Sequence, residues 1–467
     1  MSEKNIVYPY VPNSVKEIKA EMLREVGLDD VKALFADIPE HLQFQGKLNL
    51  PQPILDEYSI KRHMEGLLNK NKNCSEYLNF LGAGCAQHFV PAVCDEINGR
   101  GEFLTAYSGG TYADHGKYQA LFEYASLMAE LLDMDHLSSV LYDGAQAAAT
   151  SLRMASRMTG RNEVLLSRSM NPEVLMVVQN YLQGIREPLL NIKMIDFDPQ
   201  TGLLDMNDLE SKISPETAAV FLENPNYFGL IEADAEAIAK IARESGAEFI
   251  VYTDPISLGA IAPPAQYGAT IACGDIHSLG MHMQSGGGQA GFIAVHDDMR
   301  YIAEFKDLMF GLTKTSEEGE YGFGYVMPHL SSYATREQGK EYTGTNCALW
   351  AITAAVYLSL MGPKGMTEIG QAIMQKAQYA AKGISELKGI ELAFSSPFFK
   401  EFLVKFDGTG KTVSQINKAL LKLRIFGGKD ISGEFPELGQ CALFCVTEIM
   451  TREDIDSLVT ALEGAVN

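Results

Sequence analysis

Apolar and polar positions change rhythm along the chain, and each rhythm predicts an element. Near the start, Ser14-Val-Lys-Glu17 has capping-box spacing, and Ile18, Met22 and Leu23 follow at helical intervals, so a helix is expected there. A second helix is expected from about Leu28 to Phe35, ended by Pro39. Residues 1–60 therefore read as a helical arm ahead of the main domain. Between 218 and 254 the rhythm changes. Ala218-Ala-Val-Phe-Leu-Glu223 is an apolar run of strand length, Glu232 to Ser245 has helical spacing stopped by Gly246, and Glu248-Phe-Ile-Val-Tyr-Thr253 is a second run. A right-handed crossover makes the two runs neighbouring parallel strands. Ligands of such sheets meet the carboxyl ends of the strands, here Asn224-Pro-Asn226 and Asp254-Pro255.

Further on, Ala348 to Met361 reads as a buried helix leading to a smaller domain that starts near residue 362. There, strand-like Phe402-Leu-Val-Lys-Phe406 and Ala442-Leu-Phe-Cys-Val446 alternate with helices at 413–424 and 451–465, the latter opened by Thr451-Arg-Glu-Asp454. The expected organisation is α/β: an arm over 1–60, a large mostly parallel-sheet domain over 61–361 and a small α+β domain over 362–467. No internal repeat or low-complexity tract interrupts it.

Composition narrows the function classes. A chain of 467 residues exceeds what one core usually serves, which fits a large domain plus a smaller one. With 46% hydrophobic and 21% charged residues it has globular proportions, and no apolar run reaches the roughly 18–20 residues of a membrane helix. The opening Met-Ser-Glu-Lys-Asn lacks the charged-then-apolar pattern of a signal peptide, so export is not expected. A net charge of −22 argues against nucleic acid or anionic membrane as a partner, since both reward clustered Lys and Arg. The 7 cysteines are scattered without Cys-x-x-Cys pairs, which fits reduced thiols in a cytoplasm and no zinc site.

Several residues could carry chemistry. Asp143-Gly144 opens a run of small residues where a strand-like stretch turns into a helix, and free amides there could hold a phosphate; close helix packing is the plainer reading. Asp254 at a strand tip could pair with a pyridinium nitrogen, or simply cap a turn. His277 and His282 lack matching acidic or thiol ligands, so packed or solvent-facing roles suit them better than a metal pair. Ser278 has no nucleophile-elbow pattern around it. Thr105, Tyr107, Ser108 and Tyr112 belong to a loop rich in hydroxyls and glycine that suits a ligand or subunit contact, or a simple turn. The stretch from Tyr267 to Phe292 looks like a cofactor-enzyme active site, yet from Ile241 to Phe305 there is no lysine; Lys240 and Lys306 flank the region. A pyridoxal phosphate enzyme needs one for its Schiff base.

The order and spacing of short motifs along nearly the whole chain resemble the glycine cleavage system P-protein, in the form divided into two subunits, and within it subunit 1. The motifs are Tyr8-Pro-Tyr-Val-Pro-Asn13, Leu34-Phe-Ala-Asp-Ile-Pro39, Phe80-Leu-Gly-Ala-Gly84, Thr105-Ala-Tyr107, Tyr142-Asp-Gly-Ala145, Glu223-Asn-Pro-Asn-Tyr-Phe-Gly229, Asp254-Pro-Ile-Ser-Leu258, Arg336-Glu-Gln338 and Pro436-Glu-Leu-Gly439. The resemblance implies a type I pyridoxal-phosphate-dependent transferase fold, with the Schiff-base lysine position falling near Ser278. It implies that pyridoxal phosphate sits on subunit 2 and not covalently on this chain, that no catalytic residue need be assigned here, and that the paired chains decarboxylate glycine and pass the aminomethyl group to the lipoyl arm of the H-protein. Asp143, Gly144, Asp254, His277 and Ser278 would then be vestigial cofactor-site positions.

Departures from the family pattern gather in loops. After Thr-Ala-Tyr the family reads Thr-Pro-Tyr-Gln-Pro-Glu, but this chain has Ser108-Gly-Gly-Thr-Tyr-Ala-Asp114; Gly-Gly-Pro-Tyr-Leu-Gly becomes Gly286-Gly-Gly-Gln-Ala-Gly291; the basic stretch after Arg-Glu-Gln shrinks to Gly339-Lys-Glu-Tyr342. A paralogue serving another small amino acid or carrier is therefore an alternative. So are a non-catalytic scaffold or regulatory protein, and an independent enzyme built on Cys273, His277 or His282.

Overall fold

A computed structural model of the chain describes residues 7–46, 48–104, 116–184, 189–283, 289–343 and 346–466. It divides into two compact units, one ending at Lys72 and one beginning at Asn73. The loop holding Thr105, Tyr107, Ser108 and Tyr112 lies outside the described residues, as do 286–288 of the Gly-rich run.

The first unit holds two helices, α1 (Lys16–Glu25) and α2 (Glu57–Leu68). None of its described residues is buried, and Tyr8, Ile18, Met22, Phe35, Phe44 and Leu55 are among its exposed large side chains. The capping box expected at Ser14 does not form. Its hydroxyl bonds Tyr8 instead, accepting from the Tyr8 amide at 2.9 Å, and α1 starts one residue later, at Lys16, without a side-chain cap. The second expected helix is only a 3-10 turn, Val31–Phe35, capped by Asp30.

In the second unit a seven-stranded sheet forms from β1 (His136–Leu137), β2 (Glu163–Ser167), β3 (Asn191–Ile195), β4 (Thr217–Glu223), β5 (Glu248–Tyr252), β6 (Ile271–Asp275) and β7 (Gly291–Val295), in the order β1-β7-β6-β5-β4-β2-β3. Strands β3, β2, β4, β5 and β6 run parallel, β7 runs antiparallel to β6, and β1 pairs antiparallel with β7. Both faces are covered. Val220, Leu222, Phe249 and Val251 pack into one core, and Ala219, Phe221, Ile250 and Ile271 into another on the opposite face. Two-sided burial is why these strands read as unbroken apolar runs. The crossover expected between 218 and 254 is present, with its helix starting at Ala235 rather than Glu232. Glu232 is instead a buried acceptor for the amides of Leu204 and Asp234.

Helix α3 (Gly144–Thr159) follows β1, and α4 (Ala235–Ser245) joins β4 to β5. The apolar segment at 348 extends through α5 (Ala348–Ser385), broken at Gly362 (φ 60°, ψ 179°) with Pro363 opening the next stretch, and Leu360 beside the break is exposed. Beyond it, β8 (Glu391–Leu392), β9 (Glu401–Lys405), β10 (Lys429–Asp430) and β11 (Cys441–Cys445) form an antiparallel sheet in the order β8-β9-β11-β10. Its core is aromatic, with Phe228, Phe394, Phe402, Phe435 and Phe444 buried together. Gly229 sets its approach to the large sheet. With φ at 84°, it lies where a Cβ would strike the backbone carbonyl of Glu401, so the start of β9 comes close to the loop after β4.

Candidate functional site

A cavity of about 390 Å³ opens where β4, β5 and β6 end, and the N-terminus of α3 and the start of β9 complete it. Asp143, Gly144, Asp254, His277 and Ser278, singled out from the sequence, all line it. His282 is elsewhere, exposed, with Nε2 3.1 Å from Asp95. Cys273 is buried inside β6.

Asp254 holds the centre. Its Oδ1 accepts from Ser278 Oγ at 2.6 Å, and its Oδ2 is 2.5 Å from Lys400 Nζ. Oδ1 also caps the following turn, accepting from the Ile256 amide at 3.3 Å. Burial alone would raise the Asp254 pKa, but the Lys400 ammonium, with His88 behind it and the Ser278 hydroxyl, outweighs it and holds the carboxyl down to about 2. In the same way burial opposes the charge on Lys400, and Asp254 more than restores it, leaving the amine raised above its ordinary value. The ammonium also lies 3.4 Å from His88 Nε2. The other ring nitrogen of His88, Nδ1, is 2.9 Å from Glu448 Oε2.

Lys400 is the residue that sequence reasoning missed. It precedes the strand-like run at Phe402, where a lysine reads as a solvated strand end, and only tertiary structure brings it under Asp254. A second unforeseen contact is Cys85 Sγ, 3.3 Å from His277 Nε2. It is not an activated pair. Burial, then Asp275, pushes the thiol up to about 11, and burial, with positive groups behind it, lowers the imidazole to about 4. A neutral thiol beside a neutral ring is a poor nucleophile near neutral pH. Among the described residues no group of His, Cys, Asp or Glu side chains has the arrangement of a metal site.

At the head of α3, Gly144 lets the helix approach β5 and β6 closely, because a Cβ there would meet the Tyr252 hydroxyl and Asp275. The first-turn amides point to carboxylates. Gly144 N donates to Asp275 Oδ2 at 2.9 Å and Gln146 N to Asp143 Oδ1 at 2.7 Å, while the other Asp275 oxygen accepts from His277 N at 2.9 Å. Glu223 accepts from Asn171 N at 2.6 Å, and Glu401 from Ala83 N at 2.6 Å. Burial raises Asp275 to about 7 and, with the neighbouring Glu401 adding to it, Glu223 to about 8.

Pyridoxal phosphate would need three things here: a lysine for the Schiff base, an open carboxylate for the ring nitrogen and open amides for the phosphate. Residue 278 is serine, both Asp254 oxygens are engaged, and two of the first-turn α3 amides, Gly144 N and Gln146 N, are engaged by carboxylates. The residues of this chain do not fit the cofactor.

The architecture is that of the type I pyridoxal-phosphate-dependent enzymes. It is shared, at 15% identity and a TM-score of 0.64 over 92% of this chain and 94% of the other, with a sphingosine-1-phosphate lyase from Burkholderia pseudomallei, a likeness of fold alone. Residues 9–462 match the family model described as glycine cleavage system P-protein, and the chain belongs to that family. A crystal structure of glycine decarboxylase (P-protein) of the glycine cleavage system, in inhibitor-bound form, superposes with a TM-score of 0.84 at 31% identity, covering 98% of this chain and 100% of the other. Chains described as probable glycine dehydrogenase (decarboxylating) subunit 1 are 38% identical in Staphylothermus marinus, over 98% of both chains, and 38% in Carboxydothermus hydrogenoformans, over 97% of this chain and 99% of the other.

Proposed function

We propose that this chain is subunit 1 of a two-chain glycine dehydrogenase (decarboxylating), acting in the cytoplasm with a subunit 2 that carries the pyridoxal phosphate. Glycine is the substrate in this reading, and the lipoyl arm of an H-protein takes the aminomethyl group. The observation that carries it is the end-to-end match to chains described as subunit 1. The cavity supports the division of labour: it keeps the shape of a cofactor site but lacks a Schiff-base lysine at residue 278. The first unit supports the partner, because a segment with no buried residue and many exposed large apolar side chains gains stability only when another surface covers it. Among the described residues no helix is long and apolar enough to cross a membrane. Vestigial status for Asp143, Gly144, Asp254, His277 and Ser278, and a substrate- or partner-facing role for the loop from Thr105 to Tyr112, belong to the same proposal. So does a boundary between large and small domains near 362, supported by the break at Gly362.

Co-expression with a lysine-bearing partner chain, followed by a glycine–bicarbonate exchange assay, tests the reading. The pair should co-purify and exchange label, and neither chain alone should do so. Deleting residues 1–72 should abolish co-purification while the remaining unit stays folded by circular dichroism. Exchange by subunit 2 alone at the full rate, or by the pair with another amino acid and not glycine, would overturn the assignment.

A further inference from the structure

We propose that Lys400 is a built-in replacement for the cofactor: its ammonium takes the place at Asp254 that a pyridinium nitrogen would need, which closes the cavity to pyridoxal phosphate and lets the chain hold this fold without a ligand. Asp254 stands at the end of β5 in the large sheet, and Lys400 immediately precedes β9 in the small one, so their 2.5 Å contact ties the two sheets together at the cavity. The tie is backed on both sides. Ser278 occupies the second oxygen of Asp254, and His88, held by Glu448, lies behind the ammonium. His88 and Lys400 are each less than a tenth exposed, at 6% and 9%. A carboxylate kept there by an ammonium needs no pyridinium to neutralise it.

The opposite end of the cavity agrees. A phosphate needs free amide donors and a positive setting, but Gly144 N already donates to Asp275 and Gln146 N to Asp143. Lys400 is the one cationic side chain among the described residues that line the cavity, and its charge is already matched by Asp254. That balance disfavours a dianionic group. Held as an ammonium against Asp254, Lys400 has no lone pair with which to attack an aldehyde, so a lysine in the cavity does not restore a Schiff base.

This inference takes the missing ligand from the reading above, but the two fail separately, since exchange by the assembled pair reports on that reading and the following measurements do not. The full-length chain is titrated with pyridoxal phosphate, followed by equilibrium dialysis and visible absorbance, then treated with borohydride and peptide-mapped. No saturable binding and no site-specific adduct are expected. Saturable binding, or an adduct mapping to Lys400, would overturn the proposal.

Thermal unfolding of Lys400→Met, Asp254→Asn and the double variant tests the tie itself. Each single change leaves a buried group without its partner and should lower the midpoint by several degrees, whereas the double change should lower it by less than the sum. Lys400→Arg should restore most of the loss. Additive single effects, or a Lys400→Met midpoint equal to the wild type, would show that the pair does not hold the sheets. Should Lys400→Met fail to fold, folding of the double variant still supports the tie, and its failure to fold counts against it.

Discussion

Glu223 offers a direct test of the electrostatics of the cavity. It ends β4, accepts from Asn171 N at 2.6 Å, and is raised by burial, and further by Glu401, from 4.5 to about 8. In the unfolded chain the group ionises near its ordinary value; in the folded chain it stays protonated until about pH 8. Its contribution to stability is therefore fully present below the unfolded value and is lost as pH rises through the folded one. At about 1.4 kcal/mol per pH unit the interval corresponds to roughly 4–5 kcal/mol, an upper bound that relaxation and water entry reduce to about 2–3 kcal/mol. Glu223→Gln is neutral at every pH and keeps a carbonyl oxygen for Asn171. Thermal unfolding followed by circular dichroism should place the two proteins together at about pH 5. At about pH 9 the variant should be the more stable, by roughly 4–6 °C at about 2 °C per kcal/mol for a large chain. Asp275, raised to about 7, titrates in both proteins, so the difference between them is the quantity to read. Parallel curves across this range would refute the protonated state of the half-buried Glu223.

Other changes probe the geometry. Gly229→Ala adds a Cβ against the Glu401 carbonyl at a φ of 84°, and should cost about 2–4 kcal/mol in urea unfolding; a cost below about 0.5 kcal/mol would mean that β9 does not approach so closely. Cys85, with its thiol pushed up to about 11, should react with iodoacetamide at about pH 8 more slowly than a free cysteine, and His277→Ala should not slow it further. A rapid reaction that depends on His277 would revive the thiol–imidazole pair as a nucleophile.

Legibility in the sequence followed the range of the forces involved. The unit from β4 to β5 was visible because local signals agree: both strands are buried on two sides, and Gly246, at φ 72°, ends the helix between them in the left-handed region. The strands of the small sheet were visible for the same reason, each shifted by one residue at its ends. At the arm, local signals misled, because the Ser14 hydroxyl found a nearer partner in the Tyr8 backbone than in the helix it was expected to cap. Gly362 and Pro363 read as a terminus, yet proline is tolerated in the first turn of a new helical stretch, so α5 resumes beyond the break. The cavity was half legible. Its floor comes from strand tips and a helix start, which topology predicts, while Lys400, Glu401 and Cys85 arrive from distant segments, and no periodicity marks their meeting.

The chemistry of Asp254 explains why that unmarked lysine matters most. A carboxylate at a strand end can remain charged when buried only if a cation or several donors face it, since a buried charge without a partner costs several kcal/mol. In a cofactor enzyme of this fold the ring nitrogen meets that requirement, and the family resemblance implies an anchoring lysine near residue 278. Here residue 278 is serine and contributes one hydrogen bond to Asp254, which by itself does not balance a full charge. Two outcomes were open on physical grounds: a protonated Asp254, like its neighbours Asp275 and Glu223, or a cation from elsewhere in the chain. The contact with Lys400 selects the second. It drives Asp254 down to about 2 while the other two are driven up to about 7 and about 8 in the same cavity. Burial is common to all three, so the positive groups beside Asp254, Lys400 first and His88 behind it, are what separate them.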